Sequence, residues 1–350
     1  MSFLKKLITV LAVACAPVVV LAQSYPVKPI RLVVPYSAGG GADNAARILA
    51  TRLSSSLGQT VVIDNRPGGS GMIGAQAVAQ ADPDGYTVLY DASAFAVNPA
   101  LRKMAFDPAK DLVPVSLAVT VPNIFVVSPN APYKTVQEFV DYARKHPGEL
   151  TYASYGAGSA AHLIGELLKN QAGIDLLHVP YKGGAPALTD LMGGQVNSYF
   201  SNAASGMNYV KTGKLRALAV TSSKRMAAMP DVPTLAESGF KNFEVLEWNG
   251  FFVPKGTPRE LVARLAKEIQ SATQDPATRQ KLQGLGVDPV GSSPEEFLKF
   301  VPAERSRWAA LVKSNPIPVD SEPARLEQVC QLRCLHPFTE IGVAYSLTFQ

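Results

Sequence analysis

Cysteine is nearly missing from this chain of 350 residues: Cys15 lies in an N-terminal apolar run, Cys330 and Cys334 lie near the end, and everything between is cysteine-free. That excludes a disulfide-stapled scaffold, so the fold must rest on a hydrophobic core, which a chain of this length can build. Histidine is as scarce, with only His146, His162, His178 and His336. No H-E-x-x-H or G-x-S-x-G occurs, and the Cys330-x-x-x-Cys334-x-His336 cluster stands alone in an atypical segment. Neither a zinc hydrolase nor a serine hydrolase can be assembled from this inventory, so no catalytic activity, metal site or cofactor is expected. The chain also has no stripe of one charge: its 33 basic and 28 acidic residues are scattered. Nucleic acid is thereby excluded as a partner, whereas the mild positive excess is compatible with anionic small molecules.

Long apolar runs are missing too, except at the start. There Lys5 and Lys6 precede an uncharged stretch from Leu7 to Leu21, followed by Ala22 and Gln23. A stretch this short falls below the roughly 20 residues of a membrane span and fits a secretory signal peptide cleaved near Ala22/Gln23. Lipid attachment at Cys15 is disfavoured, because Ala12 stands where a bulky Leu belongs. The mature protein is expected in the periplasm, its net charge reduced from +5 to +3 by loss of Lys5 and Lys6.

The body alternates strand and helix periods. IRLVV (30–34) is followed by an amphipathic helix from about Asp43 to Leu57, with Ala45, Leu49, Leu53 and Leu57 on one stripe and Gly58 placed to end it. TVVID (60–64) and TVLY (87–90) are further strands, and the pattern is that of βαβ units with a mostly parallel sheet. A Pro-punctuated stretch over 113–129 leads to a second such series, opened by a capping box at Thr135-Val-Gln-Glu138. FEVLEWNGFFVPKG (243–256) is strand-like again, and beyond it only helices are expected, starting at Thr257-Pro258 and Ser293-Pro294. These features describe an α/β protein of two lobes joined near 118–126 and 243–250. The expected division is signal peptide 1–22, first lobe 23–121 plus 247–320, second lobe 122–246, and a C-terminal segment 321–350 outside the fold.

Glycine-rich loops sit at the strand-to-helix junctions. In PYSAGGGAD (35–43) the glycines permit close backbone approach to an anion, or form a tight turn with Asp43 as N-cap; both readings stay open. Its spacing is neither a dinucleotide fingerprint nor a phosphate loop. NRPGGSGMIG (65–74) repeats the arrangement and adds Arg66, either a cation near the cleft or a solvent-facing side chain. In YASYGAGSAAH (152–162), hydroxyls of Ser154 and Ser159 converge on a helix start, and His162 there reads as capping or packing rather than catalysis. VPYKGGAPA (179–187), with Lys182 as a candidate charge partner, and FSNAASG (200–206) complete that rim.

Together, PYSAGGGADNAARILA, NRPGGSGMIGA, DPDGYTVL, YGAGSAAHLIGELL, VPYKGGAPALTDLMGGQV, GKLRALAVTS and MPDVPTLAESG resemble the Bug, or TctC-like, receptors of tripartite tricarboxylate transporters, from about Tyr25 to Asp320. The resemblance implies a type II periplasmic-binding-protein fold with a ligand cleft at the hinge. It further implies an exported monomer that captures an organic-acid or amino-acid carboxylate for membrane permease subunits. Carried over by motif, the ligand contacts are Tyr36, Ser37, Ala38, Gly39, Gly40 and Asp43 with Ser93, Ser154, Gly158, Ser159, His162 and Asn202. Two positions near the expected cleft depart from the family pattern: Ser201, itself a further expected ligand contact, stands where an Asp is usual, and Asn249 where an aromatic is usual. Residues 321–350 extend past the family's usual end and match nothing in it, as a frameshifted or readthrough tail would. A periplasmic sensor reporting to a two-component kinase would present the same residues and is the alternative.

Overall fold

The computed structural model describes residues 25–314; the signal peptide expected at 1–22 and the tail expected at 321–350 lie outside them. In the first lobe β1 (Ile30–Val34), β2 (Val61–Asn65) and β3 (Thr87–Ala92) run parallel, with β1 between the other two. Between β1 and β2 lies α1 (Gly41–Leu57), whose Ala45, Leu49, Leu53 and Leu57 are all buried. It stops at Gly58, whose φ of 67° is the left-handed conformation that favours glycine. α2 (Met72–Ala79) links β2 to β3, and α3 (Ala94–Leu101) and the single turn α4 (Pro108–Asp111) follow β3.

The chain then enters β4 (Leu112–Val127), whose 16 residues are shared between two sheets. Its first part, Leu112–Pro122, pairs antiparallel with the returning β9 (Leu246–Pro254), which also lies against β3. Its last part, Asn123–Val127, pairs with β7 (Ser198–Asn202) and β8 (Arg216–Val220) of the second lobe. The intervening elements are α5 (Val136–Lys145), β5 (Thr151–Ser154), α6 (Ala160–Ala172), β6 (Leu177–Pro180), α7 (Gly184–Met192) and α8 (Ala203–Lys211). β6, β5 and β7 are parallel, as alternation of strand and helix requires. The fold is thus two α/β lobes on a pair of crossing strands.

The crossing is knitted by Thr221, which is fully buried. Its Oγ1 accepts from Asn123 N (2.9 Å) and donates to Val245 O (2.6 Å), so one hydroxyl satisfies a backbone group on each connection.

The last segment departs from an all-helical expectation in two ways. α9 (Arg259–Gln274) begins two residues after Thr257, whose hydroxyl donates to Pro254 O instead of capping the helix. After α10 (Pro276–Gly284) a short strand β10 (Asp288–Pro289) pairs with β4, because the chain there runs beside an open edge of β4 at Val119 and Thr120. α11 (Pro294–Ser314) does start at the expected box, with Glu296 N donating to Ser293 Oγ and Ser293 N to Glu296 Oε2. α9 and α10 pack on α1, and α11 packs on α3 and β4. Buried Glu304 on α11 accepts from the indole nitrogens of Trp248 (3.1 Å) and Trp308 (3.0 Å), fastening this helix to β9.

Candidate functional site

Three helix amino ends meet between the lobes. α1 starts after Gly40, α7 after Gly183 and α8 after Asn202, and Gly40, Gly41, Ala42, Gly184, Asn202 and Ser205 line one small cavity. The first two helices have no side-chain cap, so their first-turn amides are offered to whatever enters. Each end also carries the positive pole of its helix dipole. Among the described residues no Lys or Arg lines this cavity. Its remaining walls are Tyr36, Tyr155, Tyr199 and Glu247, and its volume is about 20 Å³, room for about one water molecule. Admitting even a three-carbon acid therefore requires the lobes to part.

Here the lobes are closed on each other. Arg102 Nη2 donates to Ala157 O at 2.8 Å, Ser70 Oγ donates to the same carbonyl, and Asn44 Nδ2 donates to Ala204 O at 3.0 Å. The rings of Tyr36 and Tyr155 meet edge to face with centroids 6.5 Å apart. Closure is this tight because small residues face each other: a Cβ on Gly41 would lie 2.2 Å from Asn202 Oδ1, and one on Gly183 would lie 2.8 Å from Ser37 N.

Two carboxyl groups lie under the cavity. Glu247, on β9, is buried and accepts from Tyr155 Oη and, at 2.9 Å, from Asn202 Nδ2, both on Oε2. Asp91, on β3, accepts from Tyr36 Oη (3.0 Å) and Ala92 N (2.7 Å). Burial pushes the Asp91 carboxyl up to about 7, with its two donors opposing and the charge of Glu247 adding to the rise. Burial also raises Glu247, against the lowering effect of the bonds from Tyr155 and Asn202. Neither carboxyl has an ion-pair partner among the described residues. Among the described residues, Tyr90 Oη, Ser37 Oγ and both polar side-chain atoms of Asn249 are buried without a hydrogen-bond partner.

The residues expected to touch ligand divide into two groups. Tyr36, Gly40 and Asn202 line the cavity, and Ser37, Ala38 and Gly39 form the turn leading into it, with Gly39 at φ 76°. The others stand behind the lining. Asp43 is not the N-cap of α1, which is Gly40; one turn in, its carboxylate accepts from Gly39 N, Arg47 Nε and Asn65 Nδ2 and so holds the glycine turn. Ser93 Oγ accepts from Trp248 N, tying β3 to β9. Ser154 Oγ donates to Gly156 O and lies 2.7 Å from His178 Nε2. Ser159 caps α6 by accepting from His162 N, and Gly158, at φ 82°, donates its N–H to His162 Nδ1 at 2.9 Å. His162 stacks on His178 with centroids 3.8 Å apart, and burial drives it down to about 3, so the ring is a neutral prop for this loop. Ser201 Oγ turns to Asn202 O and Ser205 Oγ. Lys182 lines a neighbouring space with Tyr36 and Gly68–Gly71, and Arg66 pairs with Asp64 at 2.8 Å.

Glu247, Tyr155 and Tyr199 were not singled out from sequence. The available signal was a carboxylate set between Leu246 and Trp248 in a mostly apolar segment, where an unpaired charge is costly enough to need a purpose.

A family model for the tripartite tricarboxylate transporter family receptor matches residues 45–316. Among solved structures, the periplasmic binding protein BugD is 38% identical, with a TM-score of 0.81 over 84% of this chain and 99% of its own. Rpa4515 of R. palustris, with adipate, is 38% identical, with a TM-score of 0.82 over 84% of this chain and 99% of its own. MatC of Rhodopseudomonas palustris, with bound malate, is 33% identical, with a TM-score of 0.77 over 82% of this chain and 100% of its own.

Proposed function

Since the chain belongs to the tripartite tricarboxylate transporter family of receptors, we propose that it is a periplasmic receptor that closes two lobes on a small carboxylate and delivers it to the permease subunits of a tripartite transporter. The family is one of solute-binding receptors, and relatives hold adipate and malate, both carboxylates. The observation that carries the reading is the convergence of helix amino ends from both lobes, two of them uncapped, on a cavity without basic side chains. Backbone amides and helix dipoles favour an anion there, and each lobe supplies only part of the set.

In this reading Tyr36, Gly40 and Asn202 touch the ligand, with Ser37, Ala38 and Gly39 shaping the entrance. Asp43, Ser93, Ser154, Gly158, Ser159, His162 and Ser201 fix the backbone that presents the amides. We place the lobe boundaries at the crossing strands, near 121/122 and 246/247, and assign release of the signal peptide near Ala22. The receptor acts as a monomer, each closed lobe pair holding one complete site. A thermal-shift screen of the mature protein across mono-, di- and tricarboxylates, amino acids and aromatic acids tests the assignment. At least one carboxylate should raise the melting temperature in a concentration-dependent way. Stabilisation only by neutral compounds would remove it.

A further inference from the structure

The carboxylate reading accounts for the amides but leaves Glu247 unexplained. This side chain lines the same cavity and is 3% exposed. Both of its hydrogen bonds, from Tyr155 Oη and Asn202 Nδ2, end on Oε2, and none is formed by Oε1 among the described residues. Glu247 is near enough to a second buried carboxyl, Asp91, for its charge to act there, and among the described residues no side-chain cation pairs with either. The phenol of Tyr199, fully buried, faces the same space. An anionic ligand would add negative charge beside two buried acids. A ligand bearing a positive group would supply the counter-charge they lack, and its carboxylate would still meet the amino ends of α1 and α7.

Resting on the carboxylate reading, we propose that Glu247 is a specificity-determining residue that selects carboxylates carrying an ammonium group, which it binds through Oε1, and discriminates against ligands that place a second carboxylate there. The two poles of the site are then matched to the two poles of an amino acid. Asn202 serves both, capping α8 with Oδ1 on Ala204 N and holding Glu247 with Nδ2.

Calorimetry on the mature protein with matched ligand series tests this. Each series holds the carbon skeleton fixed, from three to six carbons and one aromatic acid, and compares the unsubstituted acid with its amino, hydroxy and second-carboxyl derivatives. In the wild type an amino member should bind about 10- to 100-fold tighter than its hydroxy and dicarboxylate counterparts, the range of a hydrogen bond to a charged group. Glu247→Gln keeps an acceptor for Tyr155 and Asn202 but removes the charge, so it should abolish that preference. Its binding of dicarboxylates should stay equal or improve, which also shows that the variant is folded. Equal or tighter binding of hydroxy acids or dicarboxylates by the wild type would overturn the proposal, as would an ammonium preference that survives Glu247→Gln. In either case the receptor reading would stand. If no acid of any series binds, the receptor reading itself fails.

Discussion

Replacing Asp91 by asparagine should make the protein more stable at neutral pH and change little in acid. The carboxyl is buried to 2% exposure and is raised from 3.8 to about 7 in the folded chain. Between those two values the folded state holds a proton that the unfolded state has released, so stability falls as pH rises through the window. At about 1.36 kcal/mol per unit, the loss accumulates to about 4 kcal/mol by pH 7 and is constant above it. Asparagine keeps the oxygen that accepts from Tyr36 Oη and Ala92 N but cannot ionise. The stability difference between D91N and wild type should therefore climb by up to about 4 kcal/mol from pH 4 to pH 8, or up to about 10 °C in melting temperature. His162 works in the opposite direction: lowered to about 3, it contributes stability above pH 6.5 that is lost as pH falls. Because it is present in both proteins, it cancels in the difference. Urea titrations at one-unit pH steps would supply the curve. A difference independent of pH, or D91N less stable than wild type at pH 8, would refute the account of this buried acid.

Other expectations follow from the closed cleft and its hinge. Gly41→Ala places a methyl 2.2 Å from an Asn202 side chain pinned at both ends, so closure should cost about 1–3 kcal/mol and small-angle scattering should show a more open unliganded protein. Gly284→Ala, where the added carbon meets nothing, is the control, and equal dimensions for both variants would sink the idea. Thr221→Val strands Asn123 N and Val245 O in the crossing, at about 2–5 kcal/mol for the pair, and an unchanged urea midpoint would show that the crossing does not depend on this hydroxyl.

Much of the architecture could be read from periodicity. The stripe Ala45, Leu49, Leu53, Leu57 and the boxes at Thr135 and Ser293 placed their helices within a few residues, because local capping and burial decide such boundaries. The β10 strand was not legible, since two residues pairing with β4 carry no period of their own. Thr257-Pro258 looked like a helix start, but the hydroxyl found a nearer acceptor in Pro254 O. At the site, the glycine loops pointed to backbone at the cleft, where Gly40 lines the cavity and Gly39 sits in the turn before it. They could not reveal which polar side chains stand behind it, because Asp43, Ser154 and His162 do their work through loop amides whose direction depends on the folded turn. Glu247 escaped notice because its partners come from β7 and the loop after β5, more than 40 residues away in sequence.

The central claim is that a carboxylate is held by the free amides of α1 and α7. Calorimetry comparing the tightest carboxylate ligand with its primary amide, identical in shape but uncharged, tests it most directly. The amide should bind about 10- to 100-fold more weakly, through loss of charge-assisted hydrogen bonds to those amides. Equal affinity for acid and amide would contradict the account.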